Sequence, residues 1–170
     1  FIQAKKSRSD PYHDYYIWKD KPTDLQSVFL GSAWQFVPEV NAYYLHQFSV
    51  KQPDLNWTNA HMRNDLYSII RWWIDRGVGG FRFDVADRFG KDVDTEQMEN
   101  GPLEHIYIQE MNRKSFGPHD LVTVGEAWSA TMDSAKLYSN PDGSEFSMVF
   151  QFEQHQLDQQ PGCSKWDLMD

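Results

Sequence analysis

From about residue 58 onward the sequence predicts an α/β fold with a parallel sheet. Three observations carry that expectation. Helical and strand patterns alternate as α-β-α-β-α-β, the order that implies parallel strands joined by helical crossovers. Residues 121–125, Leu-Val-Thr-Val-Gly, form a short apolar run between turn signals and after a helix, as a buried parallel strand does. Residues 79–85 form another strand that follows at once on a helix ended by Gly77.

Taken in order, residues 1 to about 50 read as a loop-rich excursion with a few short strands. Asp10-Pro11, Lys21-Pro22 and Val37-Pro38 punctuate it, and residues 40–46 suit a short strand. Gln52-Pro53-Asp54-Leu55-Asn56-Trp57 is a turn-like approach to a helix, with Thr58 or Asn59 as its N-cap. Met62, Leu66, Ile69, Ile70 and Trp73 recur at helical spacing. A polar stretch, 91–100, precedes a second helix opened by Gly101-Pro102. Leu103, Ile106, Tyr107 and Met111 share one side of it, and Gly117-Pro118 closes it. Residues 132–138 suit a short helix and 146–150 a third strand. Pro161-Gly162 marks a loop, and the chain stops at Asp170 on what reads as a helix entrance. A doubly wound sheet and a (β/α)8 barrel both fit this order. The glycine-rich phosphate turn of many doubly wound folds is missing: Gly77, Gly79 and Gly80 precede the strand instead of following it.

Composition narrows the function classes. The 170 residues carry 16 basic and 25 acidic side chains, a net charge of −9, and no Lys/Arg stripe. Nucleic acid and anionic membrane surfaces are therefore not expected partners. No run approaches the roughly 18 apolar residues that a membrane span needs. The 7 Trp, 8 Tyr and 11 Phe supply a core and also suit stacking on pyranose rings. The single Cys163 has no internal disulfide partner, which favours a reducing, cytoplasmic setting. The 6 histidines show no HxH or HExxH spacing, so no metal site is expected. No Gly-x-Ser-x-Gly elbow occurs.

The chemistry concentrates at two strand ends. In Gly79-Gly80-Phe81-Arg82-Phe83-Asp84-Val85, alternation places Phe81, Phe83 and Val85 on one face and Arg82 with Asp84 on the other. Charges in such a strand need partners. An internal salt bridge would satisfy them; so would a carboxylate kept ionised for chemistry by its guanidinium neighbour. Glu126 ends the next strand. It could serve a helix N-terminus, or face Asp84 across neighbouring strands at about 5 Å. That separation is the one expected of a retaining glycosidase. Arg82 then suits Asp84 as nucleophile, and an apolar setting of Ala127 and Trp128 would favour protonated Glu126 as general acid.

These residues resemble the α-amylase family of glycoside hydrolases. Gly80-Phe81-Arg82-Phe83-Asp84-Val85 is similar to the family's fourth-barrel-strand motif with its nucleophile. Val124-Gly125-Glu126-Ala127-Trp128 is similar to the fifth-strand motif with its acid/base. Gln52-Pro53-Asp54-Leu55-Asn56-Trp57 resembles a short motif typical of the oligo-1,6-glucosidase and dextran glucosidase branch.

The resemblance implies a segment of a (β/α)8 TIM barrel, strands four to six with their helices. Residues 1–56 would belong to a domain inserted after strand three, and 57–170 to the barrel. It implies catalytic Asp84, Glu126 and Arg82. Val85 is the residue type that accompanies α-1,6 preference, and Trp128 and Lys165 match positions that shape the aglycone side.

The third-strand motif would precede Phe1, the seventh-strand motif would follow Asp170, and the branch's calcium site would lie outside the chain. The segment alone is then expected to be inactive. The whole protein is expected to be a cytoplasmic monomer with no organic cofactor, releasing glucose from isomalto-oligosaccharides or dextran ends. Trehalose-6-phosphate hydrolase, sucrose isomerase and a non-catalytic transporter-associated relative are the alternatives.

Overall fold

The computed structural model describes residues 1–150 and Phe152. The loop at Pro161-Gly162, Cys163, Lys165 and the helix entrance at Asp170 lie outside the described residues. The chain divides into two compact units, Phe1–Leu66 and Tyr67–Asp170.

The first unit holds a three-stranded antiparallel sheet: β1 (Trp18–Lys19), β2 (Trp34–Val37) and β3 (Ala42–Leu45), in the order β1-β3-β2. Asn41, at φ 46°, turns β2 back into β3, a left-handed conformation that Asn tolerates better than most residues. Val37, Val40, Ala42 and Tyr44 are buried, with Phe1 and Trp18 packed on them. The Gln52–Trp57 stretch fastens the segment that follows β3. Asp54 accepts hydrogen bonds from the Gln47 backbone at 2.7 Å and the Gln47 side chain at 2.6 Å.

Helix α1 (Ala60–Ile74) starts at Asn59, whose Oδ1 accepts from the N–H groups of His61 and Met62 at 2.9 and 3.1 Å. Of the two expected caps Asn59 serves. Thr58 instead donates to Asn56. Gly77, at φ 86°, supplies the left-handed exit after α1. The buried face differs from the expected one: Met62, Tyr67 and Ile70 are buried, whereas Ile69 and Trp73 are exposed. Helical spacing defines a stripe about 100° wide, and its edges depend on which neighbours pack there.

The second unit is a parallel sheet of β4 (Gly80–Phe83), β5 (Val122–Glu126) and β6 (Met148–Phe150), in chain order. Successive strands add on one side without reversal, as barrel strands do. Gly80 permits the close approach of β4 to β5: a Cβ there would meet Val122 O at 2.2 Å. Helix α2 (Glu104–Met111) continues through a π turn, Asn112–Phe116. It buries Glu104, Tyr107, Ile108 and Met111; Leu103 and Ile106, expected on the apolar side, are exposed. A third helix, α3 (Ala135–Tyr138), begins later than expected and leaves Met132 in solvent. Phe83 points between sheet and helix, with its ring 5.3 Å from Phe116 and 5.0 Å from Phe146.

Candidate active site

Strand pairing sets the site. Phe83 on β4 stands opposite Gly125 on β5. The next residues, Asp84 and Glu126, therefore share one level on strands about 4.8 Å apart. Both leave the C-terminal end of the sheet, where parallel α/β folds build their sites. Arg82 is two residues behind Asp84 and shares its side of the strand. Its guanidinium donates through one nitrogen to Asp84 Oδ1 and through the other to Glu126 Oε2. A planar fork with fixed arms thus holds two carboxylates together.

Their environments differ. The Asp84 side chain is 65 % exposed and that of Glu126 only 10 %. Glu126 Oε1 accepts the indole N–H of Trp128 at 3.0 Å, and Oε2 also accepts the Val85 N–H at 3.3 Å. The expectation of apolar, dry surroundings for Glu126 is corrected here. The side chain is buried, yet a guanidinium, an indole and a backbone amide meet it. Alternation within β4 pairs Arg82 with Asp84, but only the β4–β5 register carries Arg82 to Glu126.

Val85 does not continue the strand with Phe81 and Phe83. It adopts φ 41° and ψ 51°, the left-handed region, where a β-branched residue is a marked outlier. Such backbone costs on the order of 1–3 kcal/mol and persists where the surroundings enforce it. The turn brings the Val85 N–H to Glu126. Trp128 is half exposed, and its ring stacks on Phe152 at 4.1 Å and 7°. Lys165 lies outside the described residues.

A second layer behind these carboxylates was not read from the sequence. Asp87 is fully buried and Ser129 partly so, and Ser129 donates to Asp87 Oδ2 through its backbone N–H at 2.8 Å and through its hydroxyl. Asp87 stands three residues after Asp84, and Ser129 three after Glu126. That matched offset was the available signal. No cluster of three or more His, Cys, Asp or Glu that could hold a metal ion occurs among the described residues.

Fold and site together define a catalytic-domain segment of β/α-barrel type. The chain belongs to the α-amylase family: the family description "Alpha amylase, catalytic domain" matches residues 1–170. It is 51 % identical over 167 residues to a glucan 1,6-alpha-glucosidase of Streptococcus dysgalactiae subsp. equisimilis, covering 98 % of this chain and 31 % of the relative. It is 42 % identical over 188 residues to an oligo-1,6-glucosidase of Parageobacillus thermoglucosidasius, covering 99 % and 33 %. The crystal structure of Bacillus licheniformis trehalose-6-phosphate hydrolase superposes with a TM-score of 0.87 at 38 % identity, over 98 % of this chain and 32 % of that one. The chain thus spans about a third of the length of the curated relatives it matches.

Proposed function

We propose that the chain carries the nucleophile and acid/base of a retaining α-glucosidase acting on α-1,6 bonds of isomalto-oligosaccharides or dextran ends. One observation carries the reading: a single guanidinium, that of Arg82, touches both Asp84 and Glu126 at adjacent strand ends. Carboxyl groups about 5–5.5 Å apart serve double displacement, because no water fits between nucleophile and anomeric carbon.

Asp84, the exposed carboxylate, attacks the anomeric carbon. The glycosidic C–O bond breaks, and Glu126 gives its proton to the departing oxygen. A covalent glucosyl ester on Asp84 results. Glu126, now ionised, takes a proton from water as that water attacks the same carbon, and Asp84 leaves. Two inversions restore the α configuration. Arg82 holds Asp84 in place and aimed. Val85 shapes the wall beside the nucleophile, and Trp128 offers a half-exposed aromatic face on the leaving-group side. Lys165 is assigned to that same side by motif position alone.

The α-1,6 preference follows the names of the relatives at 51 % and 42 % identity. Cleavage of trehalose 6-phosphate is a second reading, favoured by the structural likeness at 38 %. The carboxylates and their guanidinium come from one chain, so a monomer suffices, and the double displacement needs no organic cofactor. The lone Cys163 supports a cytoplasmic setting. We assign 1–56 to an inserted subdomain and 57–170 to the barrel.

The test is the full-length protein with Asp84→Asn or Glu126→Gln, assayed on isomaltose and on trehalose 6-phosphate. Loss of at least 1,000-fold in kcat on isomaltose, with a mechanism-based glucosyl inhibitor labelling Asp84, is about the size expected for removing a nucleophile. Parental turnover in either variant ends the proposal.

A further inference from the structure

Two buried acids stand behind the strand ends, and the mechanism above uses neither. Asp87, on the 3-10 turn Ala86–Arg88, is fully buried. Its Oδ2 takes both hydrogen bonds from Ser129, and its backbone oxygen takes one from the Asn100 N–H at 2.8 Å. Asn100 donates its side-chain amide to the Ser129 hydroxyl at 2.7 Å and accepts from the Tyr138 hydroxyl at 2.6 Å. The loop after Asp84 and the loop after Glu126 are thereby sewn together three residues beyond each carboxylate.

One oxygen of Asp87 remains open. Asp87 Oδ1 has no hydrogen-bond partner among the described residues. Nearby, Glu104 at the start of α2 is 1 % exposed; its Oε2 accepts from the Gly90 N–H at 2.7 Å, and its Oε1 has no partner among the described residues. The packing there is close: a Cβ on Gly90 would meet Glu104 N at 2.2 Å, and one on Gly101 would meet Gly90 O at 1.8 Å. Two buried carboxyl groups with one open oxygen each are costly unless a proton is placed between them.

We propose that Asp87 is a positioning residue for both Asp84 and Glu126, and that Glu104 holds it in place by donating a hydrogen bond to its open oxygen. The inference rests on the glycosidase reading of those two carboxylates. Burial pushes the Glu104 carboxyl up to about 8, and the charge of Asp87 adds to the rise. At neutral pH Glu104 therefore keeps a proton to give. Other charged or titratable groups around this cluster include Lys91, Tyr138, Glu99 and Glu145, with Arg88 paired to Glu99 and His105 paired to Glu145. Lys91 opposes the rise on Glu104. The carboxylic acid does here what an amide would do, and the Ser129 bonds then carry the fixed position of Asp87 across to the β5 exit.

The experiment compares Asp87→Ala, Asp87→Asn, Ser129→Ala and Glu104→Gln in the full-length protein, with Asp84→Asn as control, measuring kcat, KM and the pH profile on isomaltose. Asp87→Ala and Ser129→Ala are expected to lower kcat at least tenfold with KM within about threefold. Asp87→Asn keeps an acceptor for Ser129 and an amide for Glu104, and is expected to stay within about threefold of the parent. The parent is expected to lose kcat as pH rises through about 8, where Glu104 gives up its proton; Glu104→Gln is expected to match the parent at pH 6 and to fall less steeply above pH 8. Ser129→Ala removes only a hydroxyl, so it decides the matter should Asp87→Ala fail to fold. Parental kcat and pH profile in Ser129→Ala and Asp87→Ala, beside an inactive Asp84→Asn, overturn the positioning role alone. An active Asp84→Asn overturns the glycosidase reading and the positioning role with it.

Discussion

Trp128 donates its indole N–H to Glu126 at 3.0 Å while its ring lies flat on Phe152. One side chain thus joins the buried carboxylate to an aromatic stack. The bond runs between residues two apart at a strand end, where the chain has already left the pleat.

Trp128→Phe separates the two roles. The ring remains to stack and the donor is lost. A hydrogen bond to a charged group is worth about 1.5–3 kcal/mol. If it matters chiefly when Glu126 is ionised, kcat on isomaltose falls about tenfold or more while KM moves little. Steady-state kinetics check this. A change confined to KM would mean that the indole acts only as a sugar platform.

Arg82→Lys keeps the positive charge and removes the fork. A lysine ammonium is a point charge and cannot span Asp84 and Glu126 in fixed geometry. Activity is expected to drop by roughly 100-fold or more, with unfolding by urea shifted by about 1–3 kcal/mol, because the Asp84 contact is exposed but the Glu126 carboxylate is only 10 % exposed and loses its fixed partner. A lysine variant within threefold of the parent would remove the guanidinium bridge from the mechanism.

Gly125→Ala tests the packing beneath Glu126. The added Cβ would meet the ring of Phe146 at 2.6 Å, and that ring is 1 % exposed and stacked on Phe83. Overpacking of this kind costs about 1–3 kcal/mol. A lower Tm together with lower kcat is expected, because the shifted strand carries Glu126. A variant as stable as the parent would show that the Phe146 ring yields freely.

Glu104 makes stability depend on pH. Its carboxyl rises from 4.5 to about 8 on folding. The folded state holds a proton that the unfolded chain releases above about pH 4.5. Stability from this group is therefore full below pH 4.5 and is lost progressively as pH climbs to about 8. Glu104→Gln cannot ionise. Its advantage over the parent is expected to grow between pH 5 and pH 8, by on the order of 3 kcal/mol. Denaturant titrations at those two pH values measure it; a constant difference would place the ionised form comfortably in the fold.

Val85 carries left-handed backbone at φ 41°. Val85→Gly relieves that strain but frees the unfolded chain and loses a half-buried side chain, effects of about 1 kcal/mol each. Thermal unfolding is expected to change by about 1 kcal/mol or less, while kcat falls because the amide facing Glu126 is held less firmly. A stability loss above about 2 kcal/mol would mean that the side chain, not the backbone, sets the turn.

Much of this protein was legible in one dimension. Alternation within 79–85 put Arg82 beside Asp84, because side chains two apart in a strand share a face whatever surrounds them. The apolar run at 121–125 and the glycine at 77 marked strand and helix ends through local conformational preference. Helix faces were less legible: Ile69, Trp73, Leu103 and Ile106 suit a core by type and are exposed, since periodicity does not say which neighbour arrives. What only the tertiary structure decided is every contact that crosses from one strand end to the next. The reach of Arg82 to Glu126, the hold of Ser129 on Asp87 and the burial of Glu104 all depend on the β4–β5 register and on the seat of α2. Those are set by packing among residues far apart in the chain; the matched offset of Asp87 and Ser129 hints at one of them, and no local pattern fixes any.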